Sequence, residues 1–268
     1  MLNIIKASLF KLFRDRTFHV TAIIGGVIAL LTLGINALTR TLNGNSLFLN
    51  ALTPSNSFGL TIPINLIVFT VGEFTFGTIR NKIIAGLSKT KIYFGLFITG
   101  LVFTFILAGA YALILIGIGT IVGGFNLNAF GGIEFVLCYI AYIICIYVFI
   151  TAISVFFASL IRQIGGSNTI VIILIVFLNL LPLIIFASNA GGGKLSVEHW
   201  SMWINPLYMS GFYGNNVMTL LTAGGGGSSI MFFNQSAQMV AAGIVSPLIW
   251  ALIFFIGGLF IFKNTDVK

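Results

Sequence analysis

Charge is scarce in this chain. Asp and Glu together number five in 268 residues, Lys and Arg thirteen, and charged side chains make up only 7% of the sequence. That composition lies outside the range of soluble globular domains. Histidine occurs only at His19 and His199, and no acidic pair or His-x-x-x-His motif falls within an apolar run. Those absences argue against an enzyme working inside a bilayer, which needs a nucleophile with its base, or metal ligands, at membrane depth. The two cysteines, Cys138 and Cys145, are seven residues apart in one apolar run. On a helix that spacing separates them by roughly 10 Å, too far for a disulfide, and no Cys/His cluster offers a metal site.

Apolar runs fill the space that charge leaves. Hydrophobic residues make up 58% of the chain, with 27 Phe, and runs of 18 or more apolar residues recur. The runs are continuous and do not alternate with period two, which predicts membrane-crossing helices and not a barrel. Six spans are expected, at about His19–Ala37, Phe58–Phe76, Ile92–Val122, Ile133–Ile161, Thr169–Phe186 and Met239–Phe262. The first follows basic residues, as a signal peptide would, but is longer than a typical signal core and reads as a retained span.

The formal charge of +8 does not call for a nucleic-acid partner, because basic residues orient membrane spans. With both termini cytoplasmic, eleven of the thirteen Lys and Arg fall on the inner side, leaving Arg40 and Lys194 outside. The expectation is one all-α transmembrane domain over 1–268, with six helices and both ends inside. Spans 3 and 4 are longer than a bilayer requires, so they tilt or continue beyond it. Pro63, Pro182 and Pro247 lie in or near spans 2, 5 and 6, where a neighbour must satisfy the backbone group each frees.

Residues 1–17 place Leu2, Ile5, Leu9, Leu12 and Phe13 at helical spacing, with Lys6, Lys11, Arg14 and Arg16 at polar positions. This is an amphipathic helix for the inner membrane interface. Residues 187–238 form the one long outer loop, with glycine-rich stretches flanking "HWSMWINPLYMSGFY". Within it "GGGKLS" fails as a phosphate loop: Ser188 stands where the first glycine belongs and Leu195 follows Lys194. The sequon at Asn234 is a three-residue pattern of little weight.

Few polar side chains lie at membrane depth. Asn65, Thr70, Glu73 and Asn179 are candidates for a substrate path or gate, although interhelical hydrogen bonding is the commoner use of such groups. Glu73 also reads as an interfacial carboxylate neutralised by Arg80 or Lys82. With so few ionisable groups in the spans, energy for any transport would come from elsewhere.

One segment concentrates charge: "EFTFGTIRNKIIAGLSKTKIYFGLF" holds Arg80, Lys82, Lys89 and Lys91 between two apolar runs. Within 77–91, Thr78 can cap a helix beginning at Ile79, and Gly86 can end it. Ile79, Ile83 and Leu87 share one side with Ile84 beside them, Asn81, Lys82 and Lys89 face away, and Arg80 intrudes on the apolar side. Ser88 offers a second cap. The segment reads either as a basic hairpin on anionic headgroups or as a lever clamped between two spans; periodicity does not separate these.

The same 25 residues resemble the segment after the second span in bacterial permeases of the type-2 ABC exporter family, which carry a Glu, then G-T-[IL]-[RK]-N-K, a small-residue turn and [IV]-Y. The six-span layout and amphipathic start are similar to that family, and "WINPLYMSG" resembles its N-P-L element between spans 5 and 6; the long glycine-rich loop departs from compact members. The resemblance implies a permease subunit, paired as a homodimer, in the bacterial cell membrane. Two cytoplasmic ABC ATPase subunits would bind the ATP and magnesium, and this chain would bind no cofactor and have no catalytic role. Thr78, Ile79, Arg80, Asn81, Lys82, Ile83, Ile84, Ala85 and Gly86 would form the coupling helix seated on the ATPase. An apolar pathway implies export of an amphipathic or hydrophobic cargo, with an antimicrobial or toxin peptide favoured. The alternatives are a non-transporting membrane anchor or sensor subunit, and a stand-alone channel.

Overall fold

The computed structural model describes residues 2–38, 44–52, 57–124, 133–190, 203–207 and 237–265. Every regular element among them is a helix: α1 (Leu2–Arg14), α2 (Arg16–Leu38), α3 (Gly44–Leu52), α4 (Ser57–Thr75), α5 (Thr78–Ile84), α6 (Lys89–Gly123), α7 (Ile133–Ile161), α8 (Ile164–Ala190) and α9 (Ala237–Asn264). Five helices, α2, α6, α7, α8 and α9, are long and apolar enough to cross a membrane. A sixth span is reached by taking α4 together with α5, to which it is bent by 50°. The chain is therefore of multi-pass membrane type.

Helix α7 is the hub. It packs along α9 and also meets α4, α6 and α8, and Ile146, Ala152, Ile153, Val155 and Ala158 are wholly buried. Against α6 it makes a buried polar contact: the hydroxyls of Thr104 and Thr151 lie 2.9 Å apart, both fully buried. A Cβ on Gly100 would stand 3.1 Å from the Thr151 methyl, so the two helices approach closely there. Replacing Thr104 with Val should cost only about 0.6 kcal/mol, the usual worth of such a bond in a membrane protein. The loss stays small because Thr151 keeps its second bond, to the Tyr147 carbonyl at 2.8 Å. Titrating the variant from mixed micelles into SDS and following helix loss would measure it.

Several bounds differ from the sequence reading. Helix α8 starts five residues before Thr169 and runs on to Ala190, so the expected outer loop 187–238 begins as helix. Of that loop, 191–202 and 208–236 lie outside the described residues. The stretch between the first two spans, expected to be loop, contains α3. Its Leu47, Phe48 and Ala51 are buried, and it packs on α6. At 35 residues α6 is about 52 Å long, well beyond a hydrocarbon core of about 30 Å. Its far end needs apolar cover, which α3 supplies across two glycines. A Cβ on Gly119 would stand 3.0 Å from Leu47, and one on Gly44 would stand 1.9 Å from the Gly124 carbonyl oxygen.

Near the other end of α8, the N-P-L element closes a gap that sequence chemistry creates. Pro182 has no N–H, so the Leu178 carbonyl four residues earlier loses its helical donor. The Asn205 side-chain amide donates to that carbonyl at 2.8 Å, while its Oδ1 accepts from the Leu207 N–H at 3.0 Å. The Trp250 indole of α9 donates to the Ile204 carbonyl at 2.6 Å. Asn205 and Ile204 of the long loop thus tie α8 to α9, and Leu207 beside them is fully buried.

Candidate functional site

The basic segment folds as a short helix held between two left-handed glycines. Gly77 precedes α5 with φ 66° and Gly86 follows it with φ 82°, a backbone region that favours glycine. At the C-terminal end the Gly86 N–H donates to the Ile83 carbonyl at 2.9 Å and the Leu87 N–H to the Lys82 carbonyl at 3.1 Å. That reciprocal pair is the Schellman stop expected at Gly86. The N-terminal expectation needs correcting: α5 starts at Thr78, the capping position is Gly77, and no side chain makes a capping bond there. Ser88 does occupy the position before α6, with its carbonyl accepting from the Ile92 N–H at 3.2 Å, although its hydroxyl makes no cap bond.

Ile79 roots α5. It is wholly buried among Ile92, Tyr93 and Leu96 of α6, Val155 of α7 and Phe262 of α9, with Ile83 and Leu87 half-buried beside it. The socket is aromatic: the Tyr93 ring lies 5.7 Å from both Phe255 and Phe262, and Phe74 meets Phe262 edge-on at 5.9 Å. Arg162, in the turn between α7 and α8, sits 5.4 Å above the Phe74 ring. Lys89, expected to face away, instead donates to the Lys263 and Thr265 carbonyls at 3.2 and 3.0 Å. A cation on those unpaired carbonyls stabilises the end of α9. The sequence reading linked α5 to the spans on either side of it; the structure adds α9.

Two further side chains reverse their expected directions. Lys82, expected outward, turns in and donates to Glu73 at 2.9 Å. Ile84, expected on the apolar side, is 73% exposed, and Arg80, Asn81 and Ala85 are exposed with it. The reason is electrostatic. Glu73 is 2% exposed at the end of α4, and a buried carboxylate demands cations. Turning α5 to deliver Lys82 carries Arg80 and Ile84 to the surface.

Glu73 takes a second cation that sequence reasoning missed. Lys11 of α1 bonds the other carboxylate oxygen, and also donates to the Thr78 hydroxyl at 3.3 Å. Lys82 reaches the Ser8 hydroxyl of α1 at 3.4 Å. One acid and two lysines thereby join α1, α4 and α5, and Arg80 takes no part. Lys11 neighbours Ser8 and Leu12, the buried positions of α1, a burial that the sequence pattern does not mark.

The other depth-placed polar residues do not join this knot. Asn65 donates to the Thr61 carbonyl at 2.9 Å, Thr70 to Leu66 at 2.8 Å and Asn179 to Ile175 at 3.0 Å, each within its own helix. Thr70 is buried and Asn65 and Asn179 are half-buried; the Asn179 Oδ1 has no partner among the described residues. No family model matches the chain, and no curated protein matches it.

Proposed function

We propose that the chain is the membrane-spanning permease subunit of a type-2 ABC exporter in a bacterial cell membrane, with α5 as its coupling helix. The observation that supports this most is the two-sided construction of α5. Ile79 and Lys82 hold it to α1, α4, α6, α7 and α9, while Arg80, Asn81, Ile84 and Ala85 are exposed. An exposed isoleucine beside an exposed cation suits a groove on a partner, and a rigid root suits transmission of force. A separate cytoplasmic ATPase, two copies per pair of permease chains, would bind ATP and magnesium. This chain would take no catalytic part. Motion of α5 would pass into α4, α6 and α9. An amphipathic or hydrophobic cargo, a toxin or antimicrobial peptide by preference, would leave between the paired subunits, with Asn65, Thr70 and Asn179 as its candidate contacts. Glu73 could gate only if both of its ion pairs opened.

The test is co-purification in mild detergent from the native cells, read by ATP hydrolysis and by mass spectrometry of the captured ATPase. Arg80→Glu combined with Ile84→Glu should lower the captured ATPase at least about tenfold, since a buried like-charge or stranded carboxylate at an interface costs several kcal/mol. The yield of folded chain should hold, because both side chains are exposed. Equal capture by the variant, or no ATPase with the wild type, would refute the coupling role.

A further inference from the structure

The outer face of α1 carries a cationic and aromatic surface that the knot at Glu73 does not use. Phe10 is 65% exposed and Phe13 48%; Lys6 and Arg14, each four residues from Phe10 on the helix, are exposed, as is Arg16 at the start of α2. The Arg14 guanidinium lies over the Phe10 ring, 5.5 Å from its centre. Among the described residues the ion pairs both belong to Glu73, so these three cations have no carboxylate partner. Asp15, the nearest acid in sequence, instead accepts from the Thr17 N–H at 2.8 Å and caps α2.

We infer that this face binds the anionic headgroups of inner-leaflet phospholipids and that their occupancy sets the rigidity of α5. Charge complementarity selects the occupant: three exposed cations without a carboxylate partner among the described residues, beside two exposed rings, match phosphate at headgroup level with acyl chain just beneath it. The relay follows from the other side of the same helix. Leu12 is wholly buried, and Lys11 grips the acid that also holds Lys82 of α5. Because α1 is fastened by that side and runs directly into the capped α2, lipid cannot lift it away. Lipid can only hold it more firmly, and Lys11 passes that restraint to α5. The inference rests on the inward orientation of α1 adopted above and not on the existence of an ATPase partner.

The experiment uses the full chain alone in nanodiscs of phosphatidylcholine, with or without phosphatidylglycerol. Two readouts are taken: phosphatidylglycerol retained on the released protein by native mass spectrometry, and amide hydrogen exchange over 78–86. Each basic side chain held at an anionic surface tightens binding roughly fivefold, so replacing Lys6, Arg14 and Arg16 together with Gln should lower retention on the order of 100-fold. In the wild type, phosphatidylglycerol should slow exchange in α5 several-fold. Lys11→Met should keep the retained lipid yet lose that slowing, which a merely structural role for Lys11 would not produce. Equal retention by wild type and the triple variant would overturn the headgroup site. Unchanged α5 exchange on adding phosphatidylglycerol would overturn the relay. The same slowing by inorganic phosphate in pure phosphatidylcholine would overturn the lipid as occupant in favour of a free anion. None of these outcomes depends on whether an ATPase binds.

Discussion

Glu73→Ala should be the most damaging polar substitution among the described residues, lowering stability by about 3 kcal/mol. Removing one partner of a buried ion pair costs about 3–5 kcal/mol, because the other charge is left without compensation. Here two ammonium groups lose their only carboxylate among the described residues. The lower end of the range applies because the Lys82 side chain is 19% exposed and that of Lys11 39%, so both can partly turn to water. The pattern of variants distinguishes a knot from two separate pairs. Lys11→Met or Lys82→Met alone should each cost about 1 kcal/mol, since Glu73 keeps one cation, whereas the double variant strands the buried acid and should approach the loss seen for Glu73→Ala. Replacing all three with Met should recover most of the stability, since a well-packed apolar substitute for a buried ion cluster is often neutral. Loss of helix on SDS titration would measure every variant. Full additivity of the two lysine variants would exclude a shared acid.

Asn205→Ala should cost about 2 kcal/mol, the penalty for a buried acceptor left unsatisfied. In a membrane chain no water stands ready to replace the lost donor at the Leu178 carbonyl. The cost should depend on Pro182. In a Pro182→Ala background residue 182 regains an N–H for that carbonyl, so Asn205→Ala should then cost about 1 kcal/mol, reflecting mainly the lost bond to the Leu207 N–H. A coupling of about 1 kcal/mol in this double-mutant cycle is the expected result. A cost independent of residue 182 would mean that Asn205 acts only through its own turn.

Continuous apolar runs made the long helices legible, and α7 has the expected ends at Ile133 and Ile161. Runs of that kind are set by the bilayer and need no tertiary information. The stop at Gly86 was legible for a similar reason: a left-handed residue is a local demand that glycine answers. The orientation of α5 was not. A seven-residue helix has too few positions for periodicity to decide its inward side, and an acid nine residues upstream of Lys82 decided it instead. Nor could spacing reveal Lys11, because the bond to Glu73 spans two helices. For Pro182 the sequence showed that a carbonyl would be freed; that Asn205 would satisfy it became visible only in three dimensions. Helix α3 was missed because nine residues are too few to span a bilayer, and its apolar side has no purpose until the far end of α6 is there to cover.

The pairing of Lys11 with Glu73 joins residues 62 apart in the chain. At typical synthesis rates the ribosome takes roughly 3–12 s to make that stretch. During that interval Glu73 does not yet exist, so the buried ion pair that holds α1 in place cannot form. Helix α1 must therefore wait at the membrane surface until α4 delivers the carboxylate, and α5 can take its final orientation only after Lys82 follows. Docking of α1 is thus a late event in biogenesis, although its residues are made before those of α4.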